Sequence, residues 1–319
     1  MNLVDILNVL ADGEFHSGEE LGQALGVSRT AVWKHLHKLD ELGLELTSVK
    51  GRGYRLVGGL DLLNQEHILR QMQPRAADLV SKFEIFHSIE STNSYLLSQS
   101  DHGHVCMAER QLAGRGRRGR NWISPFARNI YLSVSWTFQG GAQALEGLSL
   151  AVGVAVADAI ASQGIEGVQL KWPNDVLHQG RKLGGILLEM SGDVSGECKL
   201  VLGIGLNVDM PKVSSDDIEQ AWVDLAQLGF NGSRNDLAAA ILDRVMPMLA
   251  SYDQGGFGQY RERWQHLDAF FGQAVYVSSA QQRTEGVANG VADNGALRLL
   301  VDGVEQHFSG GEVSLRLLG

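Results

Sequence analysis

The sequence predicts an α+β chain of several domains: a winged helix-turn-helix first, a mixed α/β domain next, and a small β-barrel last. Three observations predict it. Apolar residues recur at helical spacing, with cap signals, through the first 57 residues. Strand and helix patterns then mix from about 65 to 266. From about 270 short strands are parted by Asn294-Gly295 and Asp302-Gly303, both hairpin signals. We place the domains at 1–60, 65–266 and 270–319, a division that suits 319 residues better than one core.

Leu3, Ile6, Leu7 and Leu10 form one apolar helix face, and Gly13 ends that helix. Ser17 with Glu20 is a capping box, so a second helix starts there and buries Leu21 and Leu25. Gly26 suits the left-handed residue of a tight turn. Ser28 caps a third helix over 29–42, whose Val32, Leu36 and Leu39 face the core. "LELTSVKGRGYRL" reads as strand, turn, strand around Gly51 and Gly53. "VGGLDLLNQEHI", from Val57, reads as a linker. In "NIYLSVSWTF" apolar Ile130, Leu132, Val134 and Trp136 alternate with Tyr131, Ser133, Ser135 and Thr137, a half-buried strand. "QALEGLSLAVGVAVADAIAS" is a largely buried helix. "KLGGILLEM" and "KLVLGIGLNV" are strands, the second apolar on both faces and therefore central. Asn235 is placed to cap a helix running past Pro247. "AVYVS", "EGVANGVA" and "ALRLLV" supply strands of the last domain.

Hydrophobic residues make up 44% and charged residues 20%, ordinary for a soluble globular protein. Cys106 and Cys198 match no zinc or redox spacing. The opening residues carry Asp5 and no basic cluster, and no apolar run approaches ~18 residues, so we expect a cytoplasmic protein with no membrane partner. The net charge of −10 argues against indiscriminate nucleic-acid binding but leaves room for a local basic patch. One is present. All six Lys and Arg of the first 57 residues lie between 29 and 55. Arg29, Thr30, Trp33, Lys34 and His37 are candidates for a major groove, with Lys50, Arg52 and Arg55 of the wing on phosphates. A solvated helix in a protein-interaction module is the competing reading. The domain is not basic overall, so DNA affinity is expected to need a dimer.

"AGRGRRGRNW", residues 113–122, holds four arginines and three glycines. The glycines bar a stable helix, and the segment has neither a P-loop pattern nor a dinucleotide-binding context. A mobile loop of bidentate donors that closes over an anion fits it, as does an exposed basic loop or a second nucleic-acid contact. Four companions accompany it: "ESTNSYL" at 90–96, "LKWPNDV" at 170–176, "GRKLGGILLE" at 180–189 and "GIGLN" at 203–207. Together these five segments resemble the biotin protein ligases. With the amino-terminal module, the chain resembles the bifunctional biotin ligase–biotin operon repressors of bacteria over essentially its whole length.

The resemblance implies a catalytic domain of the biotin/lipoate ligase type and an SH3-like barrel. It implies that biotin and ATP form biotinyl-5′-AMP, and that biotin then passes to a lysine of the biotin carboxyl carrier protein of acetyl-CoA carboxylase. No covalent enzyme intermediate is required, so positioning and charge stabilisation carry the chemistry. It places Ser91, Thr92 and Asn93 at the biotin ring and Gln111 on its ureido edge, where hydroxyls and amides suit the ureido group. The plainer reading of Ser91 or Thr92 is a helix cap. Arg115, Gly116 and Arg117 cover biotin and the adenylate phosphate, with Arg118 and Arg120 outside as scaffold. Trp122 packs on biotin and shields the mixed anhydride. Lys182 serves the carboxylate and the phosphate in turn. Gly185, Ile186 and Gly203 line the biotin slot. Asp175 receives or orients the incoming lysine, Lys171 meets phosphate, and Asn174 and Asn207 lie with the nucleotide, as do Arg117 and Trp122. Mg2+ is expected on the nucleotide rather than at a protein metal site. The implied partners are the carrier protein, operator DNA and a second copy of the chain when biotinyl-AMP is bound. Two alternatives stay open: a ligand-sensing repressor without ligase activity, and a ligase for another acyl cofactor such as lipoate.

Overall fold

The computed structural model describes residues 3–99, 101–139, 141, 145–192, 196–211, 220–279, 282–311 and 313–318. It begins with α1 (Leu3–Leu10), α2 (Gly18–Ala24) and α3 (Arg29–Leu36), followed by the antiparallel pair β1 (Leu46–Val49) and β2 (Gly53–Leu56). The capping box closes in both directions: Glu20 N–H donates to Ser17 Oγ at 3.1 Å, and Ser17 N–H to Glu20 Oε2 at 2.7 Å. Ser28 caps α3 through Ala31 N–H. The expected helix over 29–42 is shorter, because residues 37–42 wind as a 3₁₀ helix that keeps Leu39 fully buried. Gly53, at φ 105°, lies against the His16 carbonyl, where a Cβ would collide.

The segment from Val57 is strapped down and is not a free linker. Leu63 N–H donates to Glu109 Oε1 at 2.6 Å. Asp61 accepts from Ser233 Oγ at 3.1 Å and from Arg234 N–H at 2.5 Å. A buried ion pair, Arg234 to Glu109 at 2.9 Å, closes this polar knot. Backbone groups on a buried path need such partners, and the central domain supplies them. The chain then forms α4 (Gln65–Gln71) and α5 (Pro74–Ala77).

The central domain follows as β3 (Lys82–Phe86), α6 (Thr92–Leu97), β4 (His104–Ala108), β5 (Ile130–Phe138), α7 (Leu148–Ser162), β6 (Val168–Lys171), β7 (Asp175–His178), β8 (Arg181–Gly192) and β9 (Cys198–Leu206), then α8 (Arg234–Gly255) and α9 (Gly258–Leu267). The sheet order is β3-β4-β5-β9-β8-β7-β6, with β3–β4 parallel and the other pairs antiparallel. β9 is central, as its apolar faces predict. β5 is buried on both faces rather than one. Its even-numbered residues enter the main core beside α7 and α8, while Ser133 lies beneath α6 and bonds Thr92 and Asn93. Polar side chains on that face marked internal hydrogen bonds, not solvent.

Ser233, not Asn235, caps α8. Asn235 instead donates from Nδ2 to Asp61 Oδ1 and the Leu62 carbonyl, both at 3.0 Å, which holds the strap in place. The last domain is an antiparallel sheet in the order β13-β12-β11-β10-β14, from β10 (Ala274–Ser278), β11 (Arg283–Val291), β12 (Leu297–Val301), β13 (Val304–Phe308) and β14 (Ser314–Leu317). It docks on the central domain through Trp172 Nε1–H to the Gly295 carbonyl at 3.1 Å and Ala269 N–H to the Leu170 carbonyl at 2.9 Å. Among the described residues, no helix is long and apolar enough to cross a membrane.

Candidate active site

A cavity of about 1010 Å³ opens between the first turn of α6, the loop at 115–123, the turn at 171–175, the facing parts of β8 and β9, and β14. Ser91 is the N-cap of α6, its Oγ accepting from Ser94 N–H. Thr92 and Asn93 are buried on the first turn. Gln111 Oε1 accepts from Thr92 N–H at 2.9 Å and from Thr92 Oγ1 at 3.1 Å. Asn93 is bonded at both ends of its amide. Ser133 Oγ donates to its Oδ1 at 2.6 Å, and its Nδ2 donates to Glu189 Oε2 at 2.8 Å. It presses on Gly203, where a Cβ would collide with Oδ1. Asn93 is thus a wall held by the protein.

The arginine-glycine segment is folded back on itself instead of forming an open flap. Gly116 N–H donates to the Arg120 carbonyl at 2.7 Å, and Trp122 N–H to the Gly114 carbonyl at 2.9 Å. A Cβ on Gly114 would lie 2.7 Å from the Trp122 carbonyl, so the hairpin closes only on glycine. Arg115 Nη2 donates to Ser94 Oγ at 2.9 Å and pairs with Glu189 Oε1 at 3.0 Å. Arg117 donates to Asn174 Oδ1 at 3.2 Å and to the carbonyls of Gly310 and Gly311. Burial lowers the guanidinium pKa of Arg117, opposed by Asp175. The Trp122 indole packs over Gly205 and Gly185, with Lys182 Nζ 5.6 Å from the ring centre, and its buried Nε1–H has no partner among the described residues.

Asp175 opens β7, paired in register with Lys171 and Gly185. Lys182 Nζ sits 2.6 Å from its Oδ1 and Lys171 Nζ 3.4 Å from its Oδ2. Burial works to raise this carboxyl, but Lys182 and then Lys171 outweigh it and hold it below its ordinary value. Lys171 is itself lowered, chiefly by burial. Asn174 Nδ2 donates to the Ile186 carbonyl at 2.9 Å, which leaves its Oδ1 on Arg117. Asn207 Nδ2 donates to the carbonyls of Val223 at 3.2 Å and Lys182 at 3.5 Å, so its amide nitrogen ties strands together at the cavity wall. Among the described residues no group of His, Cys, Asp or Glu is set to hold a metal ion.

The cavity gathers Ser91, Thr92, Asn93, Gln111, Arg115, Gly116, Arg117, Trp122, Lys171, Asn174, Asp175, Lys182, Gly185, Ile186, Gly203 and Asn207. It also contains residues that sequence reasoning missed. Trp222, Phe270 and Arg316 line it from segments that carry no motif. Glu189 and Ser133 stand behind it, bonded to its wall.

The helix-turn-helix presents a second candidate surface. Thr30, Lys34, His37, Lys50 and Arg52 are exposed, and Trp33 is 53% exposed with His37 edge-on at 4.2 Å. The side chain of Arg29 lies outside the described ones. Arg52 and Arg55 lie over the Phe15 ring at 4.2 and 4.7 Å, and Arg55 is half-buried, a strut of the wing more than a free cation. The module is tied to the central domain. Arg110 Nη1 donates to the Glu41 carbonyl at 3.1 Å, and Phe126 and Ala127, just beyond Trp122, are buried in the amino-terminal core.

Comparison with known proteins gives three consecutive matches: an HTH domain over residues 2–55, the biotin/lipoate A/B protein ligase family over 85–208, and the biotin protein ligase C terminal domain over 270–316. The chain is 40% identical over 314 residues to the bifunctional ligase/repressor BirA of Escherichia coli (strain K12), covering 98% of this chain and 96% of that one. It is 28% identical to the protein of the same description from Bacillus subtilis (strain 168), over 94% of each. The biotin protein ligase of Aquifex aeolicus in complex with biotin and ATP superposes with a TM-score of 0.65 at 26% identity, covering 74% of this chain and 99% of that one.

Proposed function

The chain belongs to the biotin protein ligases of the bifunctional ligase/repressor kind, and from that premise we propose that it activates biotin with ATP and biotinylates a carrier lysine. A biotin carboxylate oxygen attacks the α-phosphorus, and the bond to the β-phosphate oxygen breaks as pyrophosphate leaves. The carrier's lysine amine then attacks the acyl carbon and AMP departs. One observation carries this reading. Arg115, Arg117, Lys171 and Lys182, from three separate stretches of a chain of net charge −10, converge on one cavity, in which Asp175 pairs with the two lysines. Such preorganised cations stabilise charge that grows on transferring phosphoryl oxygens. Lys182 leaves Asp175 for the reacting carboxylate and phosphate, and Asp175 orients the incoming lysine. Trp122, between glycines, limits access of water to the adenylate. Magnesium carried on ATP would neutralise the departing pyrophosphate.

Mass spectrometry of a biotin carboxyl carrier domain incubated with this protein, biotin and ATP tests the proposal. One biotinyl addition that requires ATP and resists excess lipoic acid is expected. An unlabelled carrier would leave only a sensor, and lipoyl addition would point to the other acyl cofactor.

The exposed faces of α3 and the wing support a second activity: repression of the biotin operon by a cytoplasmic homodimer that forms when biotinyl-AMP is retained. Two helix-turn-helix modules then read a two-fold operator. Burial of Phe126 and Ala127 in the amino-terminal core gives the site a direct path to that module. Operator retardation with adenylate, but not with biotin alone, is the expected result.

A further inference from the structure

Glu189 belongs to β8 but lies outside the cavity, and the reaction as described gives it no task. Its carboxylate is nevertheless shared by two elements that line the cavity. Asn93 Nδ2, on the first turn of α6, donates to Oε2 at 2.8 Å. Arg115 Nη2, from the loop, lies 3.0 Å from Oε1 and 3.3 Å from Oε2. The same Nη2 reaches Ser94 Oγ at 2.9 Å, so Arg115 is fixed against both β8 and α6. Asn93 has no slack, since Ser133 holds its oxygen and Gly203 leaves no space beneath it. The Glu189 side chain keeps 23% of its surface and that of Arg115 45%, so the pair is half-buried and only partly screened by solvent.

We propose that Glu189 is a positioning residue that aims Arg115 from a fixed point on the biotin-side helix, so that order in the ring pocket and order in the covering loop are one event. The inference rests on the ligase reading above. An arginine held by a carboxylate and a hydroxyl presents its remaining donors in one direction, and a guanidinium aimed in advance loses less freedom when an anion arrives. Among the described residues, the carboxylate is the one acidic group that Asn93 and Arg115 contact. Removing its charge should loosen Arg115 while leaving Asn93 an acceptor of the same size.

The experiment uses the full chain and follows two quantities: the KM for biotin and the dissociation rate of preformed biotinyl-AMP. Glu189→Gln should release the adenylate about tenfold faster with KM for biotin changed by less than about threefold, the ratio expected when a charge-assisted contact is lost and a neutral one kept. Glu189→Ala removes both contacts and should raise KM as well. In an Arg115→Ala background, Glu189→Gln should have no further effect on release, because the two act through one another. Loss of a merely structural role would raise both quantities together and persist in that background. Glu189→Asp keeps the charge at shorter reach and serves as the second variant should Glu189→Gln fold poorly; its release rate should fall between wild type and Glu189→Gln. Wild-type release kinetics in Glu189→Gln, or additive effects in the double variant, would overturn the proposal. A wild-type protein that cannot label the carrier would instead overturn the ligase reading.

Discussion

Two largely buried carboxylates, Asp175 and Asp268, each pair with the end of β6, and their pKa values are shifted in opposite directions. Asp175 lies in the cavity with a lysine on each oxygen. Asp268 lies at the end of α9, where the central domain meets the last one, beside the link from Ala269 to Leu170, one residue before Lys171. Its Oδ1 accepts from Phe270 N–H at 2.9 Å, and its Oδ2 has no partner among the described residues. Burial pushes both carboxyls up. At Asp175 the lysines reverse that push, and the group stays below the ordinary range. At Asp268 nothing reverses it, and the carboxyl rises to about 6. Burial sets only the cost of a charge, and the neighbours decide whether the charge is kept.

The sharpest way to break this contrast is to remove the lysine that makes it. Lys182→Ala takes away the shortest contact to Asp175 and the cation nearest to Trp122. Pyrophosphate release should fall by at least about 100-fold, the scale of a lost preorganised charge at a reacting phosphate. Near-normal release would remove Lys182 from the site. Asp175→Asn asks the reverse question. It leaves Lys171 and Lys182 facing each other without a counter-charge, and transfer from preformed adenylate to the carrier should slow by about 10- to 100-fold, more than adenylate formation does. Single-turnover transfer measures it, and equal slowing of both steps would mean that Asp175 serves only to hold the lysines.

Arg117→Ala has a smaller expected effect. Arg117 feels the Asp175 charge but spends its donors on Asn174 and on two carbonyls of the last domain. Loss of one guanidinium that must first leave these acceptors should speed adenylate release by about tenfold. Unchanged release would mean that it stays with the last domain when ligand is bound.

Local signals in the sequence reached some of this and stopped short of the rest. The Ser17–Glu20 box, the Asp302-Gly303 turn and the central strand "KLVLGIGLNV" depend on residues a few positions apart, and the structure holds each of them. The cavity residues were legible because they sit in short motifs. Partners brought from afar were not. Asn235 looked like a cap until Asp61, more than a hundred residues earlier, took its amide. Ser133 looked solvated until α6 covered it. Trp222, Phe270 and Arg316 sit in ordinary-looking segments, and only the docking of the last domain places Phe270 and Arg316 at the cavity. Glu189 ends the apolar run of β8, and a carboxylate there signals a buried partner whose identity only the fold supplies.

Asp268→Asn carries the smallest effect and tests the comparison at its other end. A carboxyl raised in the folded state binds its proton there while the unfolded chain, with an ordinary value near 4, has already lost it. Between those two values the folded state carries the extra proton, so stability falls as pH rises from about 4 to about 6 and stays lowered above that. A shift of this size corresponds to about 2–3 kcal/mol at neutral pH. Asparagine keeps the oxygen that Phe270 N–H needs and removes the ionisation. The variant should therefore be stabler than wild type by about 2 kcal/mol at pH 7.5, with the gain shrinking towards zero near pH 4.5. Urea unfolding at the two pH values measures it. A gain that is the same at both would mean that ionisation of Asp268 is not its source, and a loss at pH 7.5 would mean that the carboxylate finds a partner in solution that reverses burial there as the lysines do at Asp175.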